Sequence, residues 1–185
     1  LSDNYYGWIK NINLGELLKS NCYVTSPRAN VNIEPNIKSD TILTLSMGSQ
    51  INVEEYDKEW SKIFLINNHN SEYGFIGRSH IKNVQSSSKD WVTYAEKLIY
   101  TPYKWGGRSA FGIDCSALVQ LSISQNISFF PRNSEDQILI KNAKEVTKDN
   151  ISRGCLVFWK GHVAIATDKK NIIHANNFHK YVFTE

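Results

Sequence analysis

Residues 103–120 read YKWGGRSAFGIDCSALVQ, and this stretch sets the organisation of the whole chain. A Gly-Gly turn leads into Asp114-Cys115-Ser116, and an apolar run with helical character follows. A cysteine at the first turn of a helix lies where the helix dipole and free backbone N–H groups favour negative charge. This position therefore predicts a reactive thiol at Cys115, provided that another part of the chain supplies a base. The alternative is a half-buried cysteine that serves only as a small apolar side chain.

Two histidines on later predicted strands are candidates for that base. His162 shares a strand face with Ala164 and Ala166, whose small side chains let a helix approach closely. His174 lies on the next predicted strand and can sit beside His162, where a polar group would hold the imidazole in the tautomer that faces the sulfur. Each histidine alone is equally compatible with a hydrogen-bonded structural role. Together with Cys115 and its glycine-rich loop, the pair indicates a cysteine hydrolase or acyltransferase.

The composition is that of an ordinary folded protein and argues against several functions. The 185 residues are 41% hydrophobic and 21% charged, with a formal net charge of +3 and no run of Lys and Arg. We therefore expect no nucleic-acid binding, and no apolar stretch is long enough to span a membrane. The three cysteines, Cys22, Cys115 and Cys155, are too few for a disulfide framework and lack the spacing of a zinc site. We expect a monomer without a metal or other cofactor.

The first half of the chain carries a strand pattern. Between about Ser20 and Lys82, short runs rich in Val, Ile, Tyr and Phe alternate with turn residues, which predicts a small all-β barrel of the SH3-like kind. The predicted strands are Cys22–Thr25, Gln50–Tyr56, Lys62–Ile66 and Tyr73–Ile76. The polar segment Lys82–Lys89 is the predicted linker to the second half.

The second half begins with helical patterns and ends with strands. Asp90 is predicted to cap a helix, a second helix runs from Cys115 to about Gln125, and Asn133 is the predicted N-cap of a third. The predicted strands are Cys155–Trp159, His162–Thr167, Asn171–Asn176 and Lys180–Phe183. Helices followed by an antiparallel sheet predict an α+β domain.

The first residues echo a later pattern. Tyr6-Gly7-Trp8-Ile9, followed by Leu14, matches Tyr73-Gly74-Phe75-Ile76, followed by Ile81, at a constant offset. We interpret residues 1–19 as the tail of a truncated first SH3-like domain, 20–84 as a second copy, and 85–185 as the catalytic domain. Chance similarity over so few residues is the alternative.

Four segments of the second half resemble, in order, the motifs of the NlpC family of bacterial cell-wall cysteine peptidases. They are YKWGGRSAFGIDCSALVQ (103–120), FPRNSEDQ (130–137), GCLVFWKGHVAI (154–165) and IIHANN (172–177). The resemblance runs from Trp91 to the end of the sequence and implies a papain-like fold. The preceding part resembles the bacterial SH3-like domains that come before this catalytic domain in dipeptide-releasing members.

The resemblance implies a role for each matching residue. Cys115 is the expected nucleophile, His162 the general base and acid, and His174 the group that orients His162. The backbone N–H of Cys115 is expected to contribute to an oxyanion site, and the hydroxyl of Tyr103 to reach the same oxygen. The chemistry implied is thiol-dependent and metal-free.

The resemblance also implies how substrate binds. In the relatives with SH3-like domains, residues beside the cysteine bind the free N-terminal amine of an L-Ala-γ-D-Glu-diamino-acid peptide. Asp114 and Ser116 occupy those positions, and a free carboxylate next to an ammonium would select an unblocked N-terminus. An N-cap role for Asp114 is the alternative, and both roles are compatible.

The resemblance implies a role for a tyrosine near the start of the sequence as well. The relatives with SH3-like domains use a tyrosine in a D-x-Y-x-G-W segment, and residues 3–8 fit this segment. Tyr5 would then lie over the site; the alternative is a tyrosine that only belongs to the barrel.

The function implied is cleavage of the γ-D-glutamyl–diamino-acid bond of murein peptides with a free N-terminal L-Ala. A Cys-His amidase or acyltransferase on another acyl group is one alternative, and a wall-binding module with weak activity is another. The sequence starts at Leu1 and its only methionine is Met47, so we expect a processed product. Resemblance to the peptide-recycling relatives predicts a cytoplasmic protein, with a periplasmic or secreted one as the alternative.

Two positions depart from the family pattern. Ala117 stands where glycine is usual after Cys-Ser, and Cys155 replaces the aspartate of the GDL motif. A methyl group at a tight helix contact would either shift Cys115 slightly or be absorbed by its neighbours. Neither position belongs to the expected catalytic set.

Overall fold

The computed structural model describes residues 6–13, 19–67, 70–86, 88–124, 129–141 and 143–185. The described residues fall into two compact units, Tyr6–Ser86 and Ser87–Glu185. Tyr5 and much of the predicted domain 1–19 lie outside the described residues, so their roles stay predictions. Within residues 6–13 the chain forms a single 3-10 turn, Asn11–Asn13.

The first unit is built from one antiparallel sheet. Its seven strands are β1 (Cys22–Val24), β2 (Arg28–Asn32), β3 (Thr41–Ser46), β4 (Gln50–Tyr56), β5 (Trp60–Asn67), β6 (Asn70–Gly77) and β7 (Ile81–Asn83). They lie in the order β3-β2-β6-β5-β4-β1-β7. Among the described strands no pairing joins β3 to β7, because the short β7 pairs with β1 alone. The sheet is therefore open, and the closed barrel expected from the sequence is not formed.

Alternating side chains of these strands bury the core of the first unit. The core consists of Cys22, Val24, Ala29, Val31, Ile51, Val53, Ile63, Ile76 and Ile81. β4 has the predicted bounds, and β5 and β6 extend beyond theirs. The strands named from the sequence did not include β2, β3 or β7. In β2 the inward residues Ala29 and Val31 alternate with exposed polar ones and give only a weak apolar signal.

The second unit combines short helices with a second antiparallel sheet. Its elements are α1 (Val92–Lys97), β8 (Arg108–Ser109), β9 (Gly112–Ile113), α2 (Cys115–Ile123), α3 (Ser134–Gln137), β10 (Leu156–Trp159), β11 (His162–Ala166), β12 (Ile172–Ala175) and β13 (Val182–Thr184). Strands β10 to β13 lie in chain order, each antiparallel to the next. The predicted succession of helices and antiparallel strands is present in this unit. No helix in the described part of the chain is long and apolar enough to cross a membrane.

Helix α2 lies against the middle of this sheet. It contacts β11 and β12 on one side and α1 on another. Residues of α2 from Cys115 to Ser122 are all buried, including Ala117, Leu118 and Val119 at 0% exposure. The helix packs closely on β11 because that strand presents small side chains such as Ala164 and Ala166. This packing brings the start of α2 beside the start of β11.

Helix α1 is fastened to the sheet side of the unit by charged groups. Trp91 is the N-cap residue of α1, not Asp90 as predicted; the side chain of Asp90 accepts the backbone N–H of Val92 at 3.2 Å from one residue further out. Arg153 donates to Asp90 at 2.8 Å and to Glu96 at 2.7 Å. Asn133 has the extended backbone of an N-cap before α3, but its side chain makes no capping hydrogen bond.

Candidate active site

A tight glycine loop, residues 104–113, carries the chain into α2. Gly106 adopts a φ of 74°, a conformation that side chains disfavour, and its N–H donates to Asp114 Oδ2 at 2.9 Å. A Cβ added at Gly107 would lie 2.5 Å from the carbonyl oxygen of Gly112. The backbone N–H of Asp114 donates to the Gly107 carbonyl at 3.2 Å. The Gly-Gly sequence is therefore what lets this loop fold back on itself and fix Asp114.

Cys115 is the first residue of α2 and is 8% exposed. Burial raises the pKa of its thiol, and the charge of Asp114 adds to that effect. Backbone hydrogen bonds from Val163, Ser116 and Cys115 itself act in the opposite direction and lower the pKa. The sequence alone suggested that the helix start would favour the thiolate; in the fold, removal from water outweighs it.

The hydrogen bond from Val163 locates the sulfur of Cys115 on the sheet. Val163 is the second residue of β11 and follows His162 directly. The thiol and the imidazole thus belong to neighbouring parts of one site. Nε2 of His162 lies 2.8 Å from Nδ1 of His174, which leaves Nδ1 as the His162 nitrogen that can serve Cys115.

His174 is buried on β12, and several side chains hold its ring. Its Nε2 lies 3.0 Å from Oε1 of Glu185 and 3.1 Å from Nδ2 of Asn176. The ring of Phe183, directly opposite on β13, has its centroid 5.4 Å away. Trp159 covers the histidine pair from β10, with ring centroids 5.3 Å from His162 and 6.4 Å from His174.

The two histidines favour their neutral forms. Burial lowers the pKa of His162, the charge of His174 lowers it further, and the charge of Glu185 opposes both. Burial also lowers the pKa of His174, again against Glu185. With the pKa of Cys115 raised, the resting site holds a thiol beside a neutral imidazole. His162 therefore has the protonation state of a general base.

Asp114 is not the free carboxylate that the sequence interpretation assumed. Arg132 donates to both of its oxygens, at 2.9 Å to Oδ1 and 2.6 Å to Oδ2. Oδ1 also accepts the backbone N–H of Ala117 at 2.9 Å, so Asp114 is the N-cap of α2, and the hydroxyl of Ser116 at 3.3 Å. With the Gly106 N–H on Oδ2, both oxygens are saturated by protein donors. The amine-binding role of Asp114 stays a prediction.

Arg132 and Glu185 are site residues that the sequence interpretation did not name. Arg132 also donates to the hydroxyl of Ser116 at 2.9 Å, so it joins both residues that flank Cys115. It lies in the PR segment of the second motif, which was a usable signal. No sequence motif pointed to Glu185, because only the pairing of β12 with β13 brings it to His174.

Tyr103 lies half-buried near the same groups. Its pKa is raised by burial and by the charges of Cys115 and Asp114. Its backbone pairs with Ile113, two residues before Cys115. Tyr5, the remaining expected site residue, lies outside the described residues. In the described ranges, no group of three or more His, Cys, Asp or Glu side chains is placed to hold a metal ion.

The two departures from the family pattern both fit locally. Ala117 is fully buried in α2 and its N–H binds Asp114, so its methyl group has been absorbed by the packing. The sulfur of Cys155 lies 3.5 Å from the backbone N–H of Ser152 and 3.7 Å from its hydroxyl. It occupies the acceptor position of a turn, where an aspartate oxygen would accept the same bonds.

Two curated bacterial proteins are similar to most of this chain. Dipeptidyl-peptidase 6 of Lysinibacillus sphaericus is 30% identical over 162 residues, which are 80% of this chain and 58% of that protein. Gamma-D-glutamyl-L-lysine dipeptidyl-peptidase of Bacillus cereus is 27% identical over 164 residues, which are 82% of this chain and 48% of that protein. The chain thus spans about half the length of these curated relatives.

The fold has a counterpart in a crystal structure. An NlpC/P60 family protein from Bacillus cereus superposes with a TM-score of 0.74 at 23% sequence identity, over 89% of this chain and 57% of that one. Residues 100–184 match the NlpC/P60 family, and this range contains Cys115, His162 and His174. The family resemblance noted in the sequence is thus confirmed for residues 100–184, the part of the chain that matches the NlpC/P60 family.

Proposed function

We propose that residues 85–185 form a cysteine peptidase domain of papain-like type that hydrolyses an amide bond in peptidoglycan-derived peptides. The observation that carries the proposal is the alignment of three groups. The buried thiol of Cys115 lies against the backbone N–H of Val163, next to His162, and Nε2 of His162 lies 2.8 Å from His174. This is the arrangement that a nucleophile, a base and an orienting group require.

The proposed reaction proceeds in two stages. The Cys115 sulfur attacks the carbonyl carbon while the thiol proton moves to Nδ1 of His162, and the backbone N–H of Cys115, with the Tyr103 hydroxyl, stabilises the oxyanion. His162 then gives that proton to the leaving amine, and a thioester remains. Water attacks the thioester, His162 takes its proton and returns it to the sulfur, and the carboxylic acid departs.

The proposed substrate is a murein peptide that begins with L-Ala-γ-D-Glu and continues with a diamino acid. Two relatives support this choice, since one is named as a dipeptidyl-peptidase and the other as a γ-D-glutamyl-L-lysine dipeptidyl-peptidase. Asp114, Ser116 and Tyr5 remain the proposed amine-side residues. We also propose that residues 20–84 are an SH3-like domain, in keeping with their short antiparallel strands.

The test is direct. The protein is incubated with L-Ala-γ-D-Glu-L-Lys and with its meso-diaminopimelate counterpart, and released L-Ala-D-Glu is measured by mass spectrometry. Wild type is expected to release the dipeptide, and Cys115→Ala is not. A matched control is Cys155→Ala, which removes a thiol outside the site and should leave the rate unchanged. Equal product from wild type and Cys115→Ala would refute the proposal.

One observation favours a second candidate, an amidase or acyltransferase with a different acyl group. Because Arg132 and backbone N–H groups already fill both oxygens of Asp114, an ammonium ion would have to compete with them. Selection of a free N-terminus would then be weak. The comparison of an N-acetylated peptide with the free peptide separates the two: equal kcat/KM favours the second candidate, and a loss of about tenfold or more favours the first.

A further inference from the structure

Nε2 of His174 has two partners that make opposite demands on its proton. It lies 3.0 Å from Oε1 of Glu185 and 3.1 Å from Nδ2 of Asn176. The orientation of the Asn176 amide is fixed, because its Oδ1 accepts the backbone N–H of His179 at 2.7 Å. Nδ2 can therefore only donate, whereas an ionised Glu185 carboxylate can only accept. Nε2 can satisfy one of these partners at a time.

The choice of partner decides whether His162 can act as a base. When Nε2 of His174 carries the proton, it donates to Glu185, and Nδ1 of His174 accepts Nε2–H of His162 across the 2.8 Å contact. The lone pair on Nδ1 of His162 is then free to take the thiol proton of Cys115. When Nε2 is bare, it accepts from Asn176 and Nδ1–H donates to His162. The His162 proton then lies on Nδ1, and no vacant nitrogen faces the thiol.

We propose that Glu185 is a positioning residue that holds His174 in the first of these two arrangements. Glu185 would then be a fourth member of the set formed by Cys115, His162 and His174. Asn176 would favour the second arrangement, in which His162 cannot act as a base. Glu185 does not touch the reacting atoms; it acts through His174. The inference rests on the proposed function, because it takes His162 as the base.

The strand pairing fixes Glu185 at this place. Its backbone N–H donates to the carbonyl of Ile172 at 3.0 Å, and its carbonyl accepts the Ile172 N–H at 2.8 Å. The side chain thus lies diagonally across β12 and β13 from His174. His174 is 6% exposed at its side chain and Glu185 is 51% exposed, so the carboxylate reaches the buried ring from the solvent side.

Two titratable groups besides the histidine pair itself act on His174. His179 lies in the turn between β12 and β13, and Glu185 follows β13. The charge of His179 lowers the pKa of His174, and that of Glu185 raises the pKa of both His162 and His174. Loss of the Glu185 charge would therefore lower the pKa of the pair as well as release His174 to Asn176.

The experiment follows alkylation of Cys115 by iodoacetamide from about pH 4.5 to about pH 8.5, a range that brackets histidine ionisation. Mass spectrometry of the Cys115 peptide separates it from Cys22 and Cys155, and no substrate is needed. In Glu185→Gln we expect the plateau rate to fall about fivefold and the acid limb to move down by about 0.5 pH unit, as for loss of one half-exposed charge-assisted bond. Glu145→Gln, which removes an exposed carboxylate elsewhere, should match wild type.

A rescue variant distinguishes positioning from simple damage. In Glu185→Gln/Asn176→Asp, the new oxygen replaces Nδ2 beside Nε2 of His174 and supplies an acceptor there, while the other oxygen still accepts from His179. We expect this variant to recover most of the plateau rate and the position of the acid limb. A profile of Glu185→Gln that overlays wild type would overturn the inference, and so would a double variant no faster than Glu185→Gln.

Two further measurements on the wild-type protein complete the test. If Glu185→Gln unfolds, about 1 M NaCl on wild type replaces it, because salt screens the half-exposed carboxylate; the acid limb should move down, and a fixed limb would overturn the inference. Wild-type Cys115 that reacts no faster than Cys155, with the profile of an isolated thiol, would instead overturn the proposed function itself.

Discussion

Arg132 donates through its two terminal nitrogens to the two carboxylate oxygens of Asp114, at 2.9 and 2.6 Å. The side chain of Arg132 is only 10% exposed and that of Asp114 only 9%. This pair ties the segment before α3 to the residue that precedes Cys115, and a bidentate pair fixes direction as well as distance. The position of Cys115, the proposed nucleophile, therefore depends on an arginine that is 17 residues away in sequence.

Removal of this arginine should cost stability as well as activity. Arg132→Met leaves a buried carboxylate without its charged partner, and we expect the free energy of unfolding to fall by about 3 kcal/mol. Arg132→Lys keeps the charge but not the fork, so it should recover only part of the loss. Urea denaturation measures the free energy of unfolding of both variants. Lys144→Met, at an exposed site, serves as the control, and an Arg132→Met curve that matches it would contradict the role of the pair.

The pH dependence of the reaction should follow from the neutral resting pair. The pKa of His162 lies below its usual 6.5, so the imidazole is neutral and able to accept a proton at any pH above that lowered value. Below it, His162 is already protonated and the rate falls. We therefore expect the acid limb of kcat/KM to have an apparent pKa under 6.5. An acid limb above 6.5 would indicate that Glu185 or another charge outweighs burial.

Loss of His174 should slow catalysis more than it weakens binding. His174→Ala leaves Nε2 of His162 without its partner at 2.8 Å, so the ring can take the wrong tautomer or turn away from Cys115. We expect kcat to fall by about a hundredfold, with KM changed less than about threefold. His80→Ala, in the first unit, is the matched histidine control. An equal change in kcat and KM would point to substrate binding instead.

The glycine loop should tolerate no side chain at Gly107. An added methyl group would lie 2.5 Å from the Gly112 carbonyl oxygen and 2.9 Å from that of Lys104, and both are backbone atoms. We expect Gly107→Ala to lower the free energy of unfolding by about 1–3 kcal/mol and to slow alkylation of Cys115. Gly7→Ala is the control, because nothing lies within 4 Å of its added Cβ. Equal behaviour of the two variants would show that the loop can relax.

Replacing Cys155 with the aspartate that is usual in the family should stabilise the protein. Its sulfur is a weak acceptor for the backbone N–H of Ser152, at 3.5 Å. An aspartate oxygen is a stronger acceptor, so Cys155→Asp should raise the free energy of unfolding by about 0.5–1 kcal/mol. Thermal unfolding checks the shift, with Cys155→Ala as the variant that has no acceptor. A Cys155→Asp protein less stable than Cys155→Ala would show that the site disfavours a charge.

The sequence could predict elements whose signals are local. β4 has the expected bounds because Ile51 and Val53 alternate with polar residues along it, whereas β2, with the small Ala29 between Arg28 and Asn30, has less contrast. The prediction of a closed barrel was wrong for a related reason. Closure depends on whether the two edge strands meet, and local composition does not determine that.

The sequence by itself determined which residues are candidates for the site. Cys115 after a glycine loop, His162 and His174 on successive strands, and the order of the four motifs are all properties of the linear chain. Only the tertiary structure decided their chemical states. Burial raises the pKa of Cys115 where the helix start alone would lower it, Arg132 takes up the carboxylate of Asp114, and Glu185 reaches His174. Each of these depends on desolvation or on contacts between distant residues, which exist only once the chain has folded.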